Sequence, residues 1–585
     1  MLEFIRLKLG GLFAKYEELA TIGVAMAIGA AAGLGNIIFR SLIEFFQKLF
    51  FGIESEIILY GLQETAAWKI ILVPATGGLI VGLISYYIKS ARVHGVPEVI
   101  KASALRQPIS LKKGVIKTIT AAVTLGTGGS AGREGPIVLI GATIGSAIGK
   151  LFKFSSARTS TVLACGAAGG LAATFNAPIA GAMFAAEVLL GEFGIKTFSP
   201  VIISAVTATV VSRAYYGNYV TFIAPDHYLI NVWELPLFAV MGVFIAITSV
   251  FFIRSYHETA SIFRMINIPM WVKPAIGGLL VGIIAVFCRN IMGVGYGTIN
   301  EILTGQLTGF ILLLFVFLKI LATSLTLGSG GSGGQFVPSL FIGASAGGFL
   351  GWGVLALIPG ISGFIGSYAL VGMGAMLAAV THAPITAVFM IFEITQSYQI
   401  VLPIVICAVI ANVIAHRIEK DSIFTWSLSK EGFSVGHGIE RNILNSIKVR
   451  EIMLTDIITF SENTSFSDIK ASIERKPHAY FPVVDDDGYL TGVISLNDLK
   501  NVIFKDKEGH EIKAGDIGIR KNIITVTPDE TLAEAMRDFG IKEVGDLPVV
   551  VYEGDKMRLV GLLRRSDIII AYNKKMVDFS PAGQG

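Results

Sequence analysis

The chain has 585 residues, 53% of them hydrophobic and 15% charged, with a mean hydropathy of +0.68; a soluble enzyme is usually about a quarter charged, so this composition is that of an integral membrane protein. A net charge of +4 scattered over loops and tail makes no nucleic-acid footprint, and three cysteines without CxxC spacing suggest neither a disulfide framework nor a thiolate metal site. The 66 glycines exceed the roughly 7% of average usage and, in a bilayer, let helices approach closely.

In chain order, "MLEFIRLKLGGLFAKYEELA" mixes charges into its apolar residues, which denies it a signal-peptide core. Residues 1–18 therefore read as an interfacial helix, and Arg6, Lys8 and Lys15 favour a cytoplasmic start. From Leu19 to about Leu428 apolar stretches follow one another, several too short or too glycine-interrupted for a simple span of about 20 residues. Such pieces predict broken helices that meet inside the bilayer.

The apolar region contains itself twice. "ILVPATGGLIVGLI" at 71 returns as "WVKPAIGGLLVGII" at 271, "KTITAAVTLGTGGSAGREGP" at 117 as "KILATSLTLGSGGSGGQFVP" at 319, and "GAAGGLAATFNAPIAGAMFAAEV" at 166 as "GMGAMLAAVTHAPITAVFMIFEI" at 372, at offsets of 200, 202 and 206. Repeats over 19–220 and 230–430 with an odd number of crossings each are oppositely oriented, and transport proteins of that symmetry hold their site between the repeats. After a linker at 431–446 the texture becomes that of a soluble α/β tail, which repeats over 447–503 and 514–573 and ends in residues 574–585. Each unit brackets a helical segment with β-branched runs, the look of a CBS-domain pair. Asp498 and Asp567 each begin a helix after a strand, where that family often holds an adenosine ribose.

Arg133 and Glu134 are the only charged residues between Lys117 and Lys150. A charge at mid-bilayer costs about 2.5–3.5 kcal/mol on insertion scales and persists where it is paired or lines a pathway. The glycines before Glu134 allow a sharp turn and close backbone approach, and Pro136 fits the first turn of the helix that follows. Helix starts offer free N–H groups and partial positive charge, which suits an anion, so Glu134 at such a start occupies an anion's place. "VHGVPE" (93–98) and "GSGGQFVPS" (331–339) have the same grammar. Three helix starts between inverted repeats predict an anion pathway with one carboxylate in it.

Two other classes compete. "GGSAG" (128–132) and "GGSGG" (330–334) satisfy G-x-S-x-G with His382 downstream, the pattern of a serine hydrolase; yet a hydrolase needs one nucleophile and this loop is duplicated. A divalent-cation transporter would want several acidic residues where these loops offer amides and one glutamate.

"GREGP" at 132–136, "GGQFVP" at 333–338 and "HGVPE" at 94–98, with the repeats and the tail, closely resemble the CLC chloride channels and chloride/proton exchangers over about residues 15–575. The resemblance implies an all-α polytopic membrane protein of two inverted-topology repeats with broken helices, followed by a soluble α/β CBS pair in the cytoplasm. It implies a transporter, not an enzyme, that lies in the cell membrane as a homodimer with one chloride pathway per subunit. No cofactor is implied in the membrane domain; an adenine nucleotide is expected at the CBS pair.

By the same resemblance Glu134 gates the outer end of the pathway. His94, Gly95, Val96, Arg133, Gly135, Gln335, Phe336 and Phe424 contribute to anion binding, with amides near Gln335 and Phe336 at its centre and Lys117 as supporting charge. Glu187 and Glu393, being repeat mates, share a structural role. Three departures stand out: His94 replaces the usual Ser, Phe424 the usual Tyr, and Val188 the inward glutamate of the exchangers. The first two imply weak central chloride binding; the third favours passive, channel-like conduction over chloride/proton antiport.

Overall fold

The computed structural model describes residues 17–578 apart from 54–56, 89–94, 153, 155, 219–221, 223–232, 359–363, 432, 434–443, 446, 474–479, 506–511, 519–522 and 543–544. The expected interfacial helix, His94 and most of the 431–446 linker thus lie outside the described residues. Two compact units follow one another, Met1–Leu428 and Ser429–Gly585.

The first unit is helical. Its first half comprises α1 (Glu17–Phe51), α2 (Ile58–Leu62), α3 (Ala67–Tyr87), α4 (Gly95–Ala104), α5 (Leu111–Gly126), α6 (Glu134–Leu151), α7 (Ser156–Phe175), α8 (Pro178–Phe184, prolonged by a π-helical stretch Ala185–Leu190) and α9 (Ile195–Tyr216). The second half comprises α10 (Glu234–Met265), α11 (Lys273–Phe287), α12 (Tyr296–Leu303), α13 (Phe310–Gly328), α14 (Phe336–Leu357), α15 (Ile365–Thr381), α16 (Pro384–Thr395), α17 (Val401–Ile418) and α18 (Trp426–Lys430). Among the described residues seven helices are long and apolar enough to cross a membrane, and shorter apolar helices such as α11, α15 and α16 lie between them. This is a multi-pass membrane unit with broken helices.

Glycine sets the packing. α6 lies along α7 and its repeat mate α14 along α15. A Cβ at Gly141 would overlap the Gly166 carbonyl, and one at Gly166 the Gly141 carbonyl; Gly343 and Gly372 exclude side chains from each other in the same way. α3 crosses its own mate α11, with Gly78 under the Pro274 carbonyl and Gly278 under the Pro74 carbonyl. Backbones this close need residues without side chains, and the gain is dispersion contact where lipid gives helices no hydrophobic reason to associate.

A reciprocal pair of carboxylates ties the halves together. Glu187 accepts hydrogen bonds from Ile385 N (3.2 Å), Thr386 N (2.7 Å) and Thr386 Oγ1 (2.6 Å) at the start of α16. Its mate Glu393 accepts from Ile179 N (3.0 Å) and Ala180 N (2.7 Å) at the start of α8. Pro178 and Pro384 occupy the first helical positions, where the missing N–H costs nothing. Each glutamate thus satisfies orphan amides of the other repeat and complements the helix dipole. Glu187→Ala or Glu393→Ala is expected to destabilise the protein by about 1.5–3 kcal/mol, the value of hydrogen bonds to a charged group, read as a lowered Tm of the purified protein.

In the second unit, β1 (Phe460–Ser461), β2 (Tyr480–Val484) and β3 (Leu490–Ser495) form one sheet in the order β1-β2-β3, and β4 (Asp546–Glu553) and β5 (Lys556–Arg564) form another. The duplication survives in detail. Phe460 pairs parallel with Val483 as Val526 pairs with Val549, and the register shifts at Val483/Val484 and again at Val549/Val550. Leu490 and Val493 of one half share a core with Val550 of the other.

Candidate anion site

The site is built where the two glycine loops meet. α5 ends at Gly126, the chain turns through Gly128 at φ +85°, and Gly132 pairs antiparallel with Gly334, its repeat mate. The bond Gly132 N to Gly334 O and its reverse both measure 2.8 Å. Crossed hydroxyls support them: Thr326 Oγ1 accepts from Ser130 N at 3.1 Å and Thr124 Oγ1 from Ser332 N at 3.2 Å. These reciprocal bonds hold the starts of α6 and α14 side by side between the repeats.

Glu134, only 1% exposed, opens α6, and its Oε1 accepts from Phe336 N, the first amide of α14, at 2.5 Å. The carboxylate rests over the α carbons of Gly132 and Gly334, where any Cβ would collide with it. The carboxylate is therefore bound as an anion would be, by the amide of a helix start in the opposite repeat.

A cavity of about 410 Å³ opens beside it, lined by Gly95, Val96 and Pro97 of α4, Gly135 of α6 and Gln335 at the cap of α14. The three helix starts that the sequence singles out are thus brought to one space. Lys117, Arg264 and Lys273 also line it, and none of its described lining residues is acidic. A second hollow of about 750 Å³, around Phe51 and Lys69, shares no residue with these loops. Among the described residues no group of three or more His, Cys, Asp or Glu is placed to hold a metal ion.

Several expected residues are placed differently. Arg133 turns away from the cavity: its Nη2 donates to Thr174 O at 3.1 Å and its guanidinium lies 5.0 Å from the centre of the Tyr296 ring. The ring of Phe424 stands edge-on to Phe184 at 6.4 Å and 90°, in an aromatic cluster that runs through Phe184 to Phe336. Its neighbours Ile423 and Trp426 line the cavity. Lys117 and Lys319 part company despite equivalent positions: Lys319 is fully buried and donates to Ile291 O and Gly293 O, both at 3.0 Å, whereas Lys117 faces the cavity. Val188 lies in the π-helical stretch after α8.

Ser332 Oγ accepts from Thr120 Oγ1 at 3.0 Å, while His382 Nδ1 lies 3.1 Å from His416 Nδ1. The hydroxyl and the imidazole of the hydrolase pattern are each engaged elsewhere. In the tail, Asp498 Oδ2 accepts from Ser495 N at 2.9 Å and Ser495 Oγ at 2.6 Å, whereas Asp567 is held bidentately by Arg564 at 2.7 and 2.8 Å.

Sequence reasoning passes over Tyr256 and His257, which line the cavity from α10. The available signal is the polar run "RSYHET" (254–259) inside a long apolar helix. A polar patch there requires a wet or protein-lined face.

A membrane bundle of inverted repeats whose helix starts and basic side chains converge on a cavity with no acid among its described lining residues is the architecture of an anion transport protein. The chain belongs to the voltage-gated chloride channel family, CLC: the pattern of that family, described as "Voltage gated chloride channel", matches residues 76–416, and CBS domains match 449–505 and 514–574. Chloride channel protein CLC-e of Arabidopsis thaliana is 31% identical over 95% of this chain and 88% of its own. Chloride channel protein CLC-f of the same plant is 30% identical over 86% of this chain and 75% of its own. Among solved structures, a slow cyanobacterial Cl⁻/H⁺ antiporter superposes with a TM-score of 0.64 at 23% identity, covering 70% of this chain and 97% of that one, which is a likeness of fold.

Proposed function

We propose that this protein conducts chloride or a related anion passively through one pathway in each subunit of a homodimer, with Glu134 as the gate. The observation that carries the reading is the Glu134 carboxylate on the Phe336 amide, at the head of a cavity that three helix starts and Lys117 make favourable to negative charge. Amides of Gly95, Val96, Gly135, Gln335 and Phe336 serve the anion, and Arg133 contributes through its backbone. When Glu134 is protonated it loses its claim on the amide, and an anion takes its place. Purified protein in liposomes is expected to dissipate a chloride gradient once a potassium ionophore supplies counter-charge. Cation selectivity in that assay overturns the reading.

Passive conduction is favoured over exchange because Val188 cannot carry a proton and Glu187 beside it is committed to the start of α16. The tail, on the cytoplasmic side, binds an adenine nucleotide between its repeats and biases the dimer. Asp498 is the better ribose acceptor, since its partners are a serine amide and hydroxyl; Asp567 must first leave Arg564. Calorimetry of the full-length protein with ATP, ADP and AMP is expected to show binding that Asp498→Ala weakens more than Asp567→Ala. No binding of any of the three leaves the tail without a nucleotide role.

A further inference from the structure

Among the described residues, the position where a tyrosine donor was expected carries Phe424. Phe424 has no hydroxyl and is packed into an aromatic cluster, edge-on to Phe184. The cavity offers an anion helix-start amides and the basic side chains of Lys117, Arg264 and Lys273, and an anion stripped of water without replacement donors is expensive. Among the hydroxyl-bearing residues of its lining, which include Ser85, Tyr86, Ser329 and Ser427, one comes from α10.

Tyr256 of α10 lines the cavity together with Lys117, Gly135 and Gln335. Its hydroxyl lies close to the Gln335 side chain. Gln335 caps α14 and immediately precedes Phe336, whose amide holds Glu134. Tyr256 and the α14 cap thus share the cavity wall, one residue from the amide that holds the gate. Packing fixes the phenol in this position. Gly328 at the end of α13 lets α10 approach until a Cβ there would lie 3.0 Å from Ala260 N. On the other side the His257 ring stands 4.7 Å from Tyr256 and stacks on Trp426 at 3.7 Å with 13° between the planes, tying α10 to the segment that carries Phe424.

We propose that the Tyr256 hydroxyl is a side-chain donor to the anion in this cavity, acting with the Lys117 ammonium, and that it sets the preference for chloride over larger, weakly hydrated anions. The inference rests on the anion-conduction reading above. With an anion in the cavity the phenol turns its O–H to the anion and away from the neighbouring Gln335 side chain. A compact, strongly hydrated anion depends on this donor more than a large one does, because it has more hydration to replace.

The test is Tyr256→Phe, which keeps the ring and removes the donor, with flux from liposomes measured against chloride concentration and with nitrate and thiocyanate in its place. Loss of a hydrogen bond to a charged group corresponds to roughly a 10- to 100-fold weaker affinity. The half-saturating chloride concentration is expected to rise at least about tenfold, the flux at saturating anion to persist, and the thiocyanate-to-chloride flux ratio to rise. A second reading is independent of flux: chloride should raise the Tm of the wild-type protein, and the same rise in the variant should require correspondingly more chloride. Wild-type protein without anion flux would strike down the earlier reading. Wild-type flux combined with an unchanged chloride dependence, an unchanged thiocyanate ratio and an unchanged thermal titration in Tyr256→Phe would overturn this one alone, as would a variant inactive at every anion concentration whose thermal titration matches wild type.

Discussion

Replacing Glu134 by glutamine is expected to give a protein that conducts at every pH, where the wild type conducts well only in acid. The buried carboxylate is bound to the amide of Phe336 across the repeat boundary, in the seat an anion needs. An ionised side chain at that depth is tolerated because the helix start neutralises it. Protonation removes the charge that makes the bond strong, and the side chain then yields to an anion. Glutamine is neutral throughout and imitates the protonated state. Charge-assisted hydrogen bonds are worth about 1.5–3 kcal/mol, so at alkaline pH the variant should carry about 10- to 100-fold more flux than wild type, and in acid the two should converge. The sign follows from the group: proton binding to Glu134 opens, proton loss closes. Chloride efflux from liposomes across a pH series reads this directly, and a Glu134→Gln profile that tracks wild type from acid to alkaline pH removes Glu134 as the gate. Gly334→Ala offers a steric counterpart, since a methyl there overlaps the carboxylate and should force it off the amide.

Why the sequence discloses Glu134 and hides Tyr256 is a matter of where each signal lives. Glu134 is marked locally, by glycines before it, a proline after it and a charge-poor surrounding, and its loop is written twice. Gly132 and Gly334 meet because they are the same position in two inverted copies, so the duplication alone locates the midplane pairing. The reciprocal bonds of Glu187 and Glu393 follow the same logic. Side-chain direction is different. Arg133 adjoins Glu134 but rotates to the Thr174 carbonyl at the end of α7, a partner 41 residues away that no local pattern names. Lys117 and Lys319 occupy matching positions, yet the carbonyls of Ile291 and Gly293 capture only the second. Tyr256 reaches the cavity because α10 slides against Gly328, a tertiary approach with no motif of its own. Periodicity and repeats therefore specify which backbones meet, while packing between distant helices decides which side chains face the anion.

The reversal potential of the reconstituted protein, with the chloride gradient fixed and a pH gradient imposed, is expected to stay at the chloride equilibrium value. Exchange requires a proton to travel through the protein to Glu134, and a buried route needs an ionisable relay or an ordered file of water. Val188 supplies no relay. Glu187 holds three hydrogen bonds at the start of α16, and releasing its carboxylate for proton traffic would leave that helix start unsatisfied. Glu192 follows Gly191 in a left-handed turn and is exposed, off the end of the π-helical stretch. The cavity that leads to Gly135 is lined by Lys117, Arg264 and Lys273 without an acid among its described residues; this field draws anions in and raises the cost of an excess proton on the same path. The measurement separates the two mechanisms by thermodynamics alone. A carrier that moves n anions against one proton shifts its reversal potential by about 59/(n+1) mV per pH unit, given about 59 mV per tenfold gradient of a single charge, whereas a conductor of anions does not shift. A reproducible shift with pH, or uphill proton movement driven by a chloride gradient, would make the protein an exchanger and would place its proton route outside the residues considered above.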